Sequence, residues 1–417
     1  MTDRTKRRRL NSPKSFESLP LQPLTPSDKA NWHGFCEIES EPALFNVMLR
    51  DFGVKGVKVQ EVVSLDDEML EFLHKPVYGL IFLFRWKEDD PEKQESSCPE
   101  GIWFANQTSN YACASVALLN IINNVDGIEL GEKLQHFKDF TMPFTPALRG
   151  DAIGNFEFVK RVHNSFARKM DVLSTDMQLK TEAMKRKSRG KKSKSQDIDD
   201  TESVFHFIGF VPARGKLWKF DGLERQPQNL GECSGDKWLD LAKPEILSRM
   251  AEYEEDQIEF SILGLVKDPL IDLKTQLAEN IKCIFAIDNQ LSTLGLSSLD
   301  DATATAVKGN NANGNGNRHD SFINITQEEM ERAGFPEDLR TKYKSATPEE
   351  LTSYREELVS AQKGIRILIS EEQQSQRADE DYAAARRHDY GPAVHTWVRL
   401  LARKKVIQGL VSEMQAY

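Results

Sequence analysis

Hydrophobic and polar positions divide the chain into unequal parts. Residues 1–30 are polar, basic and rich in Pro and Ser, without an apolar period, and predict a disordered arm. Order is expected from about Trp32. From there to about residue 270, apolar runs alternate with helical stretches. Val77-Tyr-Gly-Leu-Ile-Phe-Leu-Phe84 and Phe205-His-Phe-Ile-Gly-Phe-Val211 predict strands, and Lys216–Phe220 predicts another. The run from Ala112 to Ile122 is apolar on nearly every face, which suits a buried helix with Asn110 as its cap. Helices and strands mixed in this way give an α/β (α+β) domain over residues 31–270. Residues 171–201 interrupt it without apolar periodicity and predict a long mobile loop.

Residues 271–345 predict a helix followed by a flexible linker, whose core is the polar Lys308-Gly-Asn-Asn-Ala-Asn-Gly-Asn-Gly-Asn317. A helical extension fills residues 346–417. At Ala346-Thr-Pro-Glu-Glu350, Thr347 can cap, Pro348 takes the first helical position, and acidic residues follow at the positive end of the dipole. A long charged helix should run from there toward Arg387. Beyond it, Val394, Trp397, Leu400, Leu401 and Leu410 form an apolar stripe. That stripe packs either on its own neighbours or on a partner.

Composition narrows the class. The 417 residues are 39% hydrophobic, enough for at least one substantial core, and no uncharged apolar run reaches the length of a membrane span. The first residues lack the apolar segment of a secretory signal, so a soluble protein of a reducing compartment is expected, in nucleus and cytoplasm. Cys36, Cys98, Cys113, Cys233 and Cys283 are too scattered for a disulfide framework or a zinc site, and no cofactor is called for. The net charge is −10, yet five basic residues crowd Arg4–Arg9 and seven crowd Lys185–Lys194. Such blocks serve as import signals, as nucleic-acid contacts or as solvated loops. The acidic average argues against a dedicated DNA-binding domain.

The candidate chemistry begins at Cys113. A buried thiol is commonly only a small hydrophobe, and a catalytic one needs help to ionise. Helix entry offers one source of help, because the dipole and free N–H groups favour negative sulfur. His206 offers another, being an imidazole inside an apolar strand. If residues 212–215 form the hairpin loop, paired positions sum to 427 and Asp221 falls opposite His206 on one sheet face. A one-residue slip would separate them. Cys, His and acid suit nucleophilic acyl transfer, and the Gln107 amide with the Cys113 N–H can meet the oxyanion.

These residues stand in text that resembles the ubiquitin C-terminal hydrolases, a papain-like cysteine peptidase group. The matching stretches are WHGFCEIESEPALFNVMLRDFGVKGVKVQEV from Trp32, KPVYGLIFLFRW from Lys75, WFANQTSNYACASVALLNIINN from Trp103, VHNSFAR from Val162 and FHFIGFVPARGKLWKFDGL from Phe205. The resemblance implies a central antiparallel sheet flanked by helices, with Cys113 as nucleophile, His206 as general base and acid, Asp221 orienting it, and Gln107 in the oxyanion hole. It implies cleavage after the C-terminal glycine of ubiquitin, whose tail passes under a crossover loop that should include residues 171–201. The tail, RRHDYGPAVHTWVRLLARKK from Arg386, is similar to an extension that docks a deubiquitinase-adaptor protein in two branches, one at the proteasome and one at chromatin. The length and modest linker favour the proteasome branch. The competing class is a catalytically silent ubiquitin-binding scaffold.

Overall fold

A computed structural model describes residues 23–86, 89–189, 205–251, 260–295, 325–335, 337–404, 406 and 408. The basic block Arg4–Arg9, the polar linker of 297–320 and Leu410 lie outside the described residues. The described part of the arm ends in a helix, α1 (Pro26–Asn31), capped by Thr25 and Asp28 in a reciprocal box. Order therefore starts before Trp32, because capping satisfies the first N–H groups locally.

Next come α2 (Pro42–Phe52), β1 (Val57–Glu61), α3 (Asp67–Glu71) and β2 (Val77–Arg85). They are followed by α4 (Cys113–Ile122), α5 (Glu132–Thr141), α6 (Pro146–Asn155), α7 (Glu157–His163) and α8 (Lys169–Arg189). The second half adds β3 (Phe205–Ala213), β4 (Lys216–Phe220), β5 (Gln228–Glu232), α9 (Trp238–Met250) and β6 (Ser261–Lys267). The strands form one antiparallel sheet in the order β1-β6-β2-β3-β4-β5.

Strand alternation gives each sheet face its own core. Ile81, Phe207, Val211, Trp218, Leu263 and Leu265 meet α2, α4 and α7 on one side. Leu80, Phe82, Ile208, Phe210, Leu217 and Val266 meet α9 and the α3 region on the other. The nucleophile helix α4 is thus buried between the sheet and other helices, which explains why its sequence is apolar all round.

Two expectations are corrected here. The hairpin loop is only Arg214-Gly215, with φ of 53° and 74°, and the register pairs Ala213 with Lys216 and Gly209 with Phe220. Paired positions therefore sum to 429 instead of 427. Two residues with positive φ make the turn whose twist matches the strands, so β3 runs on through Pro212. The shift of two preserves the face, and Asp221 lies just past the end of the ladder rather than opposite His206. In addition, residues 169–189 are helix α8 rather than loop; residues 190–201 lie outside the described residues.

The extension begins with α10 (Pro269–Thr293) and continues with α11 (Gln327–Arg332), α12 (Glu337–Ser345), α13 (Pro348–Arg387) and α14 (Gly391–Arg403). Thr347 and Glu350 cap α13 reciprocally, with Pro348 at its first turn as the sequence predicts. Cys283, Ile287 and Leu291 of α10 pack with Tyr343 and Leu351. Farther along, α13 leaves this cluster and crosses the sheet domain beside α2, where Ala383 joins the main core. Ion pairs line the seam: Arg50 with Asp379 at 3.4 Å, Arg386 with Glu39 and Asp171 at 2.8 Å each, and Lys58 with Glu372. The extension is docked along the sheet domain.

Candidate active site

Cys113 is the first residue of α4 and is half-buried. The preceding N-cap is Ala112, which offers no side-chain hydrogen bond. Asn110 therefore does not cap the helix as expected. The correction strengthens the site, since no side chain competes for the N–H groups that face a negative sulfur or oxyanion. Tyr111, two residues before the thiol, is left-handed with a φ of 63°.

His206 and Asp221 are buried to 3% and 5% exposure, and Nε2 of the imidazole lies 2.7 Å from Asp221 Oδ1. That bond leaves Nδ1 for the thiol of Cys113, whose interaction with the ring is among the causes that raise the His206 pKa. Burial by itself would lower the His206 pKa. The hydrogen bonds to Asp221 and Cys113 and their charges outweigh it and push the pKa up to about 9. For Asp221, burial works to raise the pKa, but the bond and charge of His206, the Leu223 N–H and Lys219 hold it below the ordinary value. Asp221 accepts the Leu223 N–H at 2.9 Å, which fixes the carboxylate's orientation.

Gln107 enters from the other side. Its N–H donates to Gly222 O at 2.7 Å, and a Cβ on Gly222 would stand 3.2 Å from both Gln107 N and Cβ. A glycine after Asp221 thus lets the two arms of the site touch. Gln107 Oε1 is buried without a partner among the described residues, so that end of the amide is not taken up by a structural bond. The structure brings Gln107, Cys113, His206 and Asp221 into one place.

Sequence reasoning missed what holds Gln107. Asn120 Oδ1 accepts from Ala105 N at 2.8 Å, and its Nδ2 donates to Ala105 O at 3.1 Å. One turn later, Asn124 repeats the pattern with Trp103 at 2.9 and 2.7 Å. Two amides four residues apart, one on α4 and one in the turn just past its end, thereby imitate a neighbouring strand for the stretch leading to Gln107. Asn106 Nδ2 donates to Glu224 O at 2.6 Å, and its N–H donates to Pro146 O at 3.0 Å. Arg149, 5% exposed, donates to the carbonyls of Ile102 and Phe104 at 3.2 and 3.1 Å. The available signal was the presence of Asn120 and Asn124 around an otherwise apolar run.

A second cysteine and histidine meet elsewhere and do nothing comparable. His163 is fully buried between Ser115 Oγ at 2.8 Å and Cys36 O at 2.7 Å, and burial pushes its pKa down to about 4. Burial pushes the Cys36 thiol up to about 12. A neutral histidine beside a protonated thiol has no nucleophile to offer. Among the described residues no group of His, Cys, Asp or Glu is arranged to hold a metal, and no helix is long and apolar enough to cross a membrane.

With this geometry in place, the family model described as ubiquitin carboxyl-terminal hydrolase, family 1, matches residues 35–251, which span all four site residues. The chain belongs to that family. A hydrolase of the same family, isozyme L5 from Dictyostelium discoideum, is 40% identical over 56% of this chain and 62% of its own length. The hydrolase BAP1 of Xenopus tropicalis is 33% identical over 58% of this chain and 35% of its own. The match thus spans less than two thirds of either relative. Trichinella spiralis UCH37 bound to ubiquitin vinyl methyl ester aligns over 66% of this chain and 94% of its own, at 28% identity and a TM-score of 0.45, a likeness too loose to add to the fold described above.

Proposed function

We propose that this protein is a deubiquitinating thiol hydrolase that cleaves after the C-terminal glycine of ubiquitin. The observation that carries the reading is the buried line from Asp221 through His206 to Cys113 at the uncapped start of α4. His206 holds the proton given up by the Cys113 thiol as a charged imidazolium, and the sulfur attacks the glycine carbonyl carbon to give a tetrahedral oxyanion. The Gln107 amide and the Cys113 N–H stabilise that charge. Collapse expels the leaving amine, which takes the proton from His206 and leaves a thioester. Water then attacks the thioester with His206 as base, releasing the ubiquitin carboxylate and the thiol.

The test exposes the full chain to ubiquitin bearing a C-terminal electrophile. A covalent adduct seen by mass in the parent protein and absent in Cys113→Ala is the expected result. An adduct that persists in the variant would show another residue reacting, and no adduct in either would favour the scaffold class.

At the finer level, the enzyme acts at the proteasome through an adaptor that seats on α14. Two things support this reading: the tail resemblance and the exposure of Val394, Trp397 and Leu400, at 52%, 63% and 49%. Co-sedimentation of the full chain with purified proteasomes, lost in Trp397→Asp, is the expected outcome. Sedimentation with nucleosomes alone would assign the chromatin branch.

A further inference from the structure

Tyr111 occupies a backbone region that suits glycine or asparagine. Its φ of 63° lies two residues before the nucleophile, in a segment that leads directly into the uncapped first turn of α4. For a bulky L-residue this conformation is costly and persists only where surrounding structure over-determines it. The structure shows what does so. The Tyr111 ring packs against the main core, and its hydroxyl donates to Oε1 of Gln178 on α8. The side chain thus spans from the nucleophile's turn to the helix that begins the crossover segment.

Helix α8 is held at other points that do not involve the site. Trp32 Nε1 donates to Asp176 Oδ1 at 3.1 Å, Arg386 meets Asp171 at 2.8 Å, and Asp389 Oδ2 accepts from Lys169 N at 3.3 Å. The tie through Gln178, by contrast, reaches the nucleophile loop. We propose that Tyr111 is a positioning residue that keys the turn carrying Cys113 to helix α8, so that the thiol's geometry toward His206 depends on where that helix sits.

The physical argument is one of leverage. A left-handed residue just ahead of a helix aims the helix's first N–H groups and its first side chain, and here that side chain is the thiol. With the hydroxyl tied to α8, the strained conformer is the stable one. With the tie cut, the loop gains freedom to relax toward ordinary backbone angles, and the Cys113 sulfur is less often aligned with the His206 ring. This rests on the reading of Cys113 and His206 as a reactive pair. It does not rest on ubiquitin as substrate.

The test uses iodoacetamide, a small electrophile that needs no ubiquitin, on the full chain, with alkylation at Cys113 followed by mass across pH. Tyr111→Phe keeps the ring and removes the hydroxyl; Gln178→Ala removes the acceptor from the exposed face of α8. Each is expected to slow Cys113 alkylation at neutral pH about threefold to tenfold, the scale of one lost hydrogen bond. The double variant is expected to be no slower than either single, because both cut the same tie. Wild-type rates in both singles, or losses that multiply in the double, overturn the proposal. Tyr111→Gly takes a φ of 63° without strain but nothing holds it there, so it removes the side chain and its tie without adding a clash. It is expected to react as slowly as Tyr111→Phe, and a Gly variant reacting at the wild-type rate overturns the role of the side chain. Failure of the ubiquitin electrophile with normal alkylation would instead count against the proposed substrate and leave this inference standing.

Discussion

His206 carries charge at neutral pH, because a pKa of about 9 leaves the imidazole protonated there. The sign of the linkage follows from an unfolded value near 6.5. A raised pKa stabilises the fold fully below about 6.5, and that contribution is lost as pH rises through about 9. Catalysis has the same upper limit, since the leaving amine must take a proton from the ring. The pH profile of kcat/KM should therefore fall above about 9. Asp221→Asn removes the carboxylate that most strongly raises the pKa, so the falling limb should move toward 6.5, and a limb that stays near 9 would refute the assignment. His163 has the opposite sign: with its pKa near 4, its contribution is present above 6.5 and lost as pH falls through 4. The four site residues were legible because each is a polar group set in apolar or turn-forming text. Their supports were not, since the Arg149 guanidinium reaches backbone carbonyls and Glu224 offers its own, contacts that sequence does not place.

The elements of the site meet by close backbone approach. On α6, a Cβ at Gly150 would stand 2.1 Å from Asn106 O, the carbonyl just before Gln107. That neighbour is backbone of a residue pinned by its Nδ2 on Glu224 O and its N–H on Pro146 O, so it cannot step aside as a flexible side chain would. Gly150→Ala should push the oxyanion arm outward and lower kcat by roughly 100-fold, the scale of an ångström of misplacement. Steady-state kinetics on a ubiquitin substrate would check it, and an unchanged kcat would show that the arm has slack. Most elements were readable from periodicity, including β2, β4 and the capped start of α13. The hairpin register was not, because Pro212 looks like the start of a turn. It lies past Phe210, the last β3 residue paired with β2, where a proline is tolerated. Helix α8 was misread as a loop because, apart from Val172 in the main core, its described part meets the fold largely through polar ties such as Asp171, Asp176 and Gln178, which leave little apolar stripe to read.

At the scale of the molecule, sequence boundaries at residues 270 and 346 suggest a domain followed by an appendage. The structure joins them. Arg386 is the main rivet, 9% exposed, with bonds to Glu39, Asp171 and the Phe166 carbonyl at 2.8, 2.8 and 3.1 Å. Replacing it with Ala would leave Asp171 without that partner, and loss of charge-assisted bonds of this kind should cost about 2 kcal/mol. Urea unfolding of the full chain would measure this, and a loss below about 0.5 kcal/mol would place Arg386 among ordinary surface ion pairs. No sequence period announces such a seam, because its residues are single charged positions separated by more than two hundred others.

The paired amides of Asn120 and Asn124 have a consequence for time as well as for place. The stretch leading to Gln107 is held by the side chains of Asn120 on α4 and of Asn124 just past its end rather than by a strand, so the N–H groups of Trp103 and Ala105 are protected only while the end of that helix is intact. The half of the site that receives the oxyanion and the half that delivers the sulfur therefore share one lifetime. When α4 opens they are lost together, and when it re-forms they return together.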